Sequence, residues 1–545
     1  MTTNVQATKK RDILFLLCLL YLLLPNLLFL WGWARPVVSV PLSLLLLYCS
    51  CRIIPPPPGH EHAVSKWDHW VLAATLILAF VWLFLSGMTG HTKQLFDYIV
   101  RNPIYETLVR CDWPILNSAG EYFVYYFAFM LPPAAIAKIC CITAENCMSW
   151  YWTLMLWCYL GIVLILLLIF RQFRRHVLTF FLLWITLNTP INLFKRLFDS
   201  LAFRIESCKG LEPGSISSCW PWRVDGFLGA TSQIFNTFHH AIPIWIILLL
   251  LLPHKENDRE TFPIYSCLLL ASLGVIQSPL GSAGIFIVLC FILITRWKHG
   301  QFSWKQLSLS VPSITGVALV CCTLLYFLQS NGGEIRPAWH PMKNLPSGVE
   351  FHASHIWISY ILGLLCTLPI PFLVWKKDEL LSPPIAATLF IIVAFPLIVI
   401  GQGSNELIFK ASAVIFLIWP IYFCKKWIQS KAKGKALLAV CIAVSSVLSW
   451  EILIPAVSSL GFDKTTIVHN RQDKWQGHLN HPRYFGYDQF WGKNSPPLFY
   501  GEAGASAQGL LYWLSVHNRS DSEPLPPLQH RPTGKRHLPL RDQED

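Results

Sequence analysis

Runs of uninterrupted apolar residues recur along this chain, each about as long as a bilayer's hydrocarbon core requires, roughly 20 residues. The first, residues 13–31, reads ILFLLCLLYLLLPNLLFLW and contains no charged side chain. A backbone in lipid has no water to satisfy its N–H and C=O groups, so such runs can span only as helices or as a closed barrel. Runs this long and this continuously apolar point to helices. Composition agrees: 54% of the 545 residues are hydrophobic and only 13% are charged, where a soluble domain carries about 25% charged residues. The chain therefore reads as an all-α integral membrane protein.

Spans are expected near 13–31, 36–52, 68–88, 148–170, 174–193, 233–253, 261–277, 282–296, 308–328, 353–376, 383–401, 406–423 and 435–455, about thirteen in all. The first follows Lys9, Lys10 and Arg11 without a small-residue cleavage site, which predicts an uncleaved helix. The segment 119–142 is ambiguous. If it spans, every later loop changes side. If it dips in and returns, twenty lysines and arginines fall on one side and thirteen on the other, the latter over roughly twice the length. That bias selects a re-entrant or interfacial segment, with the N-terminus cytoplasmic and the C-terminus outside. Pro132 and Pro133 are expected to break the helix where the segment turns.

On this reading residues 1–455 form the membrane domain, with outer loops 89–147, 194–232 and 329–352. Residues 456–514 form an outer-face segment, and the Pro-, Arg- and Asp-rich stretch 515–545 reads as a disordered tail. The formal charge of +13 sits in short clusters between helices, including Lys425, Lys426, Lys431, Lys433 and Lys435 in one loop. Such clusters orient a membrane protein and do not suggest nucleic acid. Most of the 17 cysteines lie inside apolar runs, where Cys acts as a small hydrophobe. Cys208 and Cys219 share a polar loop and form a candidate disulfide if that loop faces an oxidising compartment.

The residues able to carry chemistry concentrate in the outer pieces. Asp97 lies just past a span, with Arg101 four residues on and Glu106 beyond. A carboxylate at the membrane surface could act as general base toward a hydroxyl or amine. The alternative is a solvated pair worth well under about 1 kcal/mol. Asp112 and Glu121 flank Trp113-Pro114 and suit turn or capping roles. His239 and His240 stand inside a span, where histidines are costly unless they face a cavity or a partner. Neighbours on a helix point about 100° apart, so a shared metal is not indicated and a cavity donor or a satisfied core histidine fits better. Asn405, Glu406 and Lys410 open another span. Lys410 either snorkels to water or holds a lipid-linked phosphate as a point charge. His60-Glu61-His62 follows the Pro55–Pro58 run and reads as linker. The sequence contains no P-loop, HExxH or GxSxG motif.

These motifs in this order resemble large bacterial inner-membrane proteins similar to GT-C-type glycosyltransferases. Asp97-Tyr98 with a nearby base leads to Trp113-Pro114, then to YFVYYFAFMLPPA at Tyr122–Ala134, to His240–Pro243, and to Asn405-Glu406-Leu407 with Lys410. The likeness is spread over residues 90–425 as short motifs. The chain departs from that pattern in having Arg101 where a His is usual, Glu406 for Asp and Lys410 for Arg, changes that keep charge but alter geometry. The resemblance implies a polyprenyl-phosphate-linked sugar donor and an envelope acceptor at the outer face of the bacterial inner membrane. It implies Asp97 as base or acceptor-positioning group, Arg101 and Lys410 on the donor phosphate, and His240 as a cavity donor, with His239 and Glu406 beside them. The partners are then membrane lipid and a lipid-linked sugar. A polysaccharide polymerase or ligase is the alternative, and would draw on Arg204, Arg223 and Arg336 in later loops; a non-catalytic envelope protein is another. A transporter would show duplicated halves and mid-span charges; this chain has no duplicated half and mid-span charges are nearly absent.

Overall fold

A computed structural model of the chain describes residues 11–55, 65–92, 98–110, 112–115, 122–140, 147–188, 227–252, 266–301, 303–327, 335–337, 360–361, 364, 382–400, 406–458 and 491–492. The helices are α1 (Ile13–Trp33), α2 (Pro36–Ile53), α3 (Lys66–Leu85), α4 (Tyr98–Arg110), α5 (Leu131–Ile139), α6 (Cys147–Phe173), α7 (Val177–Thr186), α8 (Ala230–Leu251), α9 (Cys267–Ser272), α10 (Pro279–Lys298), α11 (Trp304–Ser308), α12 (Val311–Phe327), α13 (Ser382–Ala394), α14 (Glu406–Gln429) and α15 (Ala432–Ser458). Two small antiparallel ladders accompany them. β1 (Tyr122–Phe123) pairs with β4 (Trp491–Gly492), and β2 (Ile335–Pro337) pairs with β3 (Ile398–Ile400).

Among the described residues, 7 helical stretches are long and apolar enough to cross a membrane. Leu44, Ile77 and Val440 face outward, as lipid-facing side chains do. The helices α8 and α14 differ from the rest, each being 94% buried over its most apolar window while α3 is 33% buried over its own. They form the centre of the bundle, and the other helices pack around them. Among the expected spans, the described part of 261–277 (266–277) holds the short α9 followed by turns at 273–277, and the described part of 383–401 (383–400) is α13 followed by a 3-10 turn and β3. Most of 353–376 lies outside the described residues. The five lysines do not share a loop: Lys425 and Lys426 end α14, Lys433 and Lys435 begin α15, and only Ser430 and Lys431 lie between. Lysine is a good helix former, so the helices run through the cluster.

The start of α1, the end of α2 and the end of α6 meet at one end of the bundle. Asp12 caps α1, accepting from the Leu14 and Phe15 amides at 3.0 and 3.1 Å. Arg171 donates to the same carboxylate through both Nη atoms, at 2.5 and 2.7 Å. The Asp12 amide donates to the Pro55 carbonyl at 3.0 Å. Burial pushes the Asp12 carboxyl up, but Arg171 and the two amides outweigh it and hold the group below the usual carboxylate range. The chain then reverses between α6 and α7. His69, near the start of α3, faces Phe170, while Trp82, near its end, faces Phe181 and Trp184. The apolar stretch Trp150–Thr186 is therefore a helical hairpin folded at Arg174–His176.

The described part of the ambiguous segment, 122–140, enters and leaves at the opposite end. The Tyr326 hydroxyl, in the last turn of α12, donates to the Phe123 carbonyl at 2.9 Å. Phe129 then reaches Tyr21 and Trp157 at ring-centroid distances of 6.3 and 6.4 Å. Tyr21 is about 12 Å along α1 at 1.5 Å per residue, so the chain has dipped toward mid-depth. The helix α5 carries it back, with Lys138 5.1 Å from the Trp113 ring. Pro132 and Pro133 open α5 and do not break a helix. Their missing N–H groups belong to the first turn, where no intrahelical acceptor is lost.

A second irregular stretch, 273–278, also lies within the bundle. Non-helical backbone is tolerated there only if protein groups satisfy it. The side-chain amide of Asn26 donates to the Leu22 and Leu273 carbonyls at 2.8 and 2.9 Å, and that of Gln277 to the same two at 3.2 and 2.9 Å.

The Asp12–Arg171 pair yields a stability prediction. Asp12→Asn should cost about 1.5–3 kcal/mol, the range for hydrogen bonds to a charged group, and lower the unfolding midpoint in detergent. Because the folded-state pKa of Asp12 is depressed, the pair's contribution is present above the unfolded carboxylate value of about 3.9 and lost as pH falls through the folded value. The variant should lack that acid-side loss, and an unchanged midpoint would contradict the role given to the pair.

Candidate functional site

The central helix α8 is deformed where the histidines stand. Thr237 has φ −133° and ψ 35°, outside the helical region. Its hydroxyl donates to Gln233 Oε1 at 2.6 Å. Gln233 in turn donates through Nε2 to the Phe409 carbonyl at 2.7 Å and to Ser412 Oγ at 2.6 Å. On the other side of the pair, Trp245 Nε1 donates to the Ala413 carbonyl at 2.8 Å. Pro243 offers no N–H to the His239 carbonyl four residues earlier, which weakens the helix at the same place. The deformed turn is thus fastened to α14 above and below.

With the helix distorted, the His239 and His240 rings lie 4.1 Å apart, and both face Tyr126 at 5.8 and 4.4 Å. The divergence expected of neighbours on a straight helix does not hold here. Lys410 Nζ sits 5.6 Å from the Tyr126 ring and pairs with Glu406 one turn before it. Arg101 lies on the other flank, its guanidinium carbon 6.0 Å from the Tyr98 ring and 5.8 Å from the Phe238 ring. Phe238 contacts His239 at 5.3 Å. The charges of Arg101 and Lys410 both act on both imidazoles. Arg101 and Lys410 are each 6% exposed, so Arg101 is not a solvated surface charge and Lys410 does not snorkel to water.

His240 is oriented by Ser278, its Nδ1 lying 3.1 Å from the hydroxyl. A Cβ on Gly281 would come within 2.3 Å of that hydroxyl and 2.9 Å of Ile244 Cγ1, so only glycine leaves Ser278 in place. His240 Nε2 and both ring nitrogens of His239 are buried without a hydrogen-bond partner. Buried polar atoms of this kind call for an explanation, and a ligand or water between the two cations would supply one. Two cations face one carboxylate here among the described residues, and no group of three metal-ligating side chains occurs among them. The field favours an anion. Arginine presents paired donors to phosphate oxygens and lysine a compact charge.

Five of the six expected site residues, Arg101, His239, His240, Glu406 and Lys410, converge from α4, α8 and α14. Asp97 lies outside the described residues; it directly precedes Tyr98, the first residue of α4. The side chain of Glu106 and residues Glu121, Asn405, Cys208, Cys219, Arg204, Arg223 and His60–His62 also lie outside them. Asp112 is exposed, while Trp113 is buried and donates from Nε1 to the Leu108 carbonyl at 3.0 Å. Arg336 is in β2, opposite Val399. Tyr126, Ser278 and the Gln233–Ser412 contact were not singled out by sequence. Polar residues inside apolar runs were the available signal. Comparison with family models, with curated proteins and with solved structures finds no match to this chain.

Proposed function

We propose that this protein is a membrane glycosyltransferase of GT-C-like type that uses a polyprenyl-phosphate-linked sugar donor. The observation that carries the reading is the convergence of Arg101, the His239–His240 pair and Lys410 around Tyr126, from three helices far apart in sequence. The donor phosphate would lie between Arg101 and Lys410, with its isoprenoid tail among the helices. His240 would donate from Nε2 to a phosphate or sugar oxygen, held in that tautomer if Nδ1 accepts from Ser278. Asp97 would take the proton of the acceptor hydroxyl as its oxygen attacks the anomeric carbon. The sugar–phosphate C–O bond breaks, its electron pair stays on the phosphate oxygen, and the two cations offset the charge that develops there. The site lies at the end of the bundle opposite Asp12, which the charge bias assigns to the outer face; that the membrane is a bacterial inner membrane is what the resemblance implies. In this reading about thirteen spans, partly beyond the described helices, complete the membrane domain.

Two outcomes test the reading. Asp97→Asn should abolish transfer from polyprenyl-phosphate-linked sugars in isolated membranes while binding of polyprenyl monophosphate persists. Arg101→Gln and Lys410→Gln should each weaken that binding and lower kcat/KM by about 10²–10³-fold, the scale for losing one preorganised charge-stabilising donor. Full transfer activity in all three variants would refute the assignment.

A further inference from the structure

The reversal between α6 and α7 is made by a single 3-10 turn, Arg174–His176. Arg174 has φ 46°, the left-handed conformation that residues with a side chain adopt uncommonly. The strain is accompanied by an unmet need, because Arg174 Nη1 is buried without a hydrogen-bond acceptor. Leaving a charged donor buried and unsatisfied costs more than leaving a neutral one.

The turn is surrounded by like charge. Arg175 donates from Nε to His176 Nε2 at 3.3 Å. Lys435, in the first turn of α15, acts electrostatically on the same imidazole and lies 5.9 Å from the Trp427 ring. Among the described residues, Asp68 is a carboxylate on which Arg174 and Arg175 act. It is already engaged in capping α3, where Oδ2 accepts from the Ser65 amide at 2.9 Å and its own amide donates to the Ser65 hydroxyl at 3.1 Å. Asp12, another carboxylate at this end, is taken up by Arg171. Trp67 and Trp70, in the first turns of α3, are 68% and 72% exposed. Exposed tryptophans beside the end of an apolar helix mark the headgroup level of a bilayer.

We propose that the Arg174–His176 turn, with Lys435, binds the phosphate of an anionic phospholipid headgroup. The phosphate oxygens would accept from Arg174 Nη1 and face Arg175 and Lys435, while the acyl chains lie against the apolar surface below Trp67 and Trp70. A basic pocket between helices at the headgroup level is the arrangement that recognises such lipids. The site is at the opposite end of the bundle from the histidine cluster, so it stands or falls independently of sugar transfer.

The test is the thermal unfolding midpoint of the full chain in neutral detergent with added phosphatidylglycerol, phosphatidylcholine or inorganic phosphate. Phosphatidylglycerol should raise the midpoint of the unmodified protein above the value in phosphatidylcholine, and inorganic phosphate should not reproduce the rise. The Arg174→Gln/Arg175→Gln/Lys435→Gln variant should lose most of that rise. The Arg175→Gln/Lys435→Gln variant, which keeps the turn's own Arg174, serves if the triple variant fails to fold, and should lose part of it. Lys298→Gln/Lys305→Gln, at the same end on other helices, should keep it. Equal midpoints in the two lipids, a full rise in the triple variant, an equal loss in the Lys298/Lys305 variant, or a rise with phosphate alone would overturn the proposal.

Discussion

The contact between α8 and α14 organises the interior. Both helices are buried almost all round, so neither can turn its polar side chains to lipid or water. Gln233, Thr237 and Ser412 therefore satisfy one another and the Phe409 carbonyl, and Trp245 bonds to Ala413. Without such partners each polar group would cost about 1–3 kcal/mol in a medium that cannot solvate it. Satisfying them fixes the relative rotation of the two helices, and that rotation places Lys410 on the same side as the histidines. The break at Thr237 and the absent N–H of Pro243 then let both imidazoles face Tyr126.

The remaining irregular segments follow the same rule. The dip at 122–140 and the turn at 273–278 bring non-helical backbone inside the bundle, and each is answered by protein groups. Tyr326 bonds the entry of the first, and Asn26 and Gln277 bond the second. The two segments deliver Tyr126 and Ser278 to His240. Three imidazole nitrogens, both of His239 and Nε2 of His240, remain unmet between two cations. An anion with several acceptor oxygens would offset the charge of Arg101 and Lys410 and offer partners to these nitrogens, which is the basis of the proposed phosphate-linked substrate.

Much of this was legible in the chain because the bilayer requirement is strict. The runs behind α1, α2, α3, α6, α8, α10 and α14 are long and nearly free of charge, and nothing but a helix accommodates them. The described part of the span expected at 261–277 is a short helix and turns, which composition alone cannot separate from a continuous helix. Gly274, Gln277, Ser278 and Pro279 were the residues that break it. Pro132 and Pro133 misled in the other direction, since a tandem proline both ends and begins helices, and only the dip before it decides which. His239, His240, Glu406 and Lys410 were visible as costly residues at membrane depth. Tyr126 was not, because its place depends on how far the chain dips between two helices. The burial of Arg101 was not visible, because nothing local announces that Tyr98 and Phe238 cover it.

The most direct test of the account is a cryo-electron microscopy map of the protein in lipid nanodiscs with polyprenyl monophosphate added. The account predicts phosphate density within hydrogen-bonding reach of Arg101, Lys410 and the Nε2 atom of His240, with the Tyr126 ring against the histidine pair. Polyprenyl phosphate bound elsewhere, with Arg101 and Lys410 on separate faces of the bundle, would contradict it.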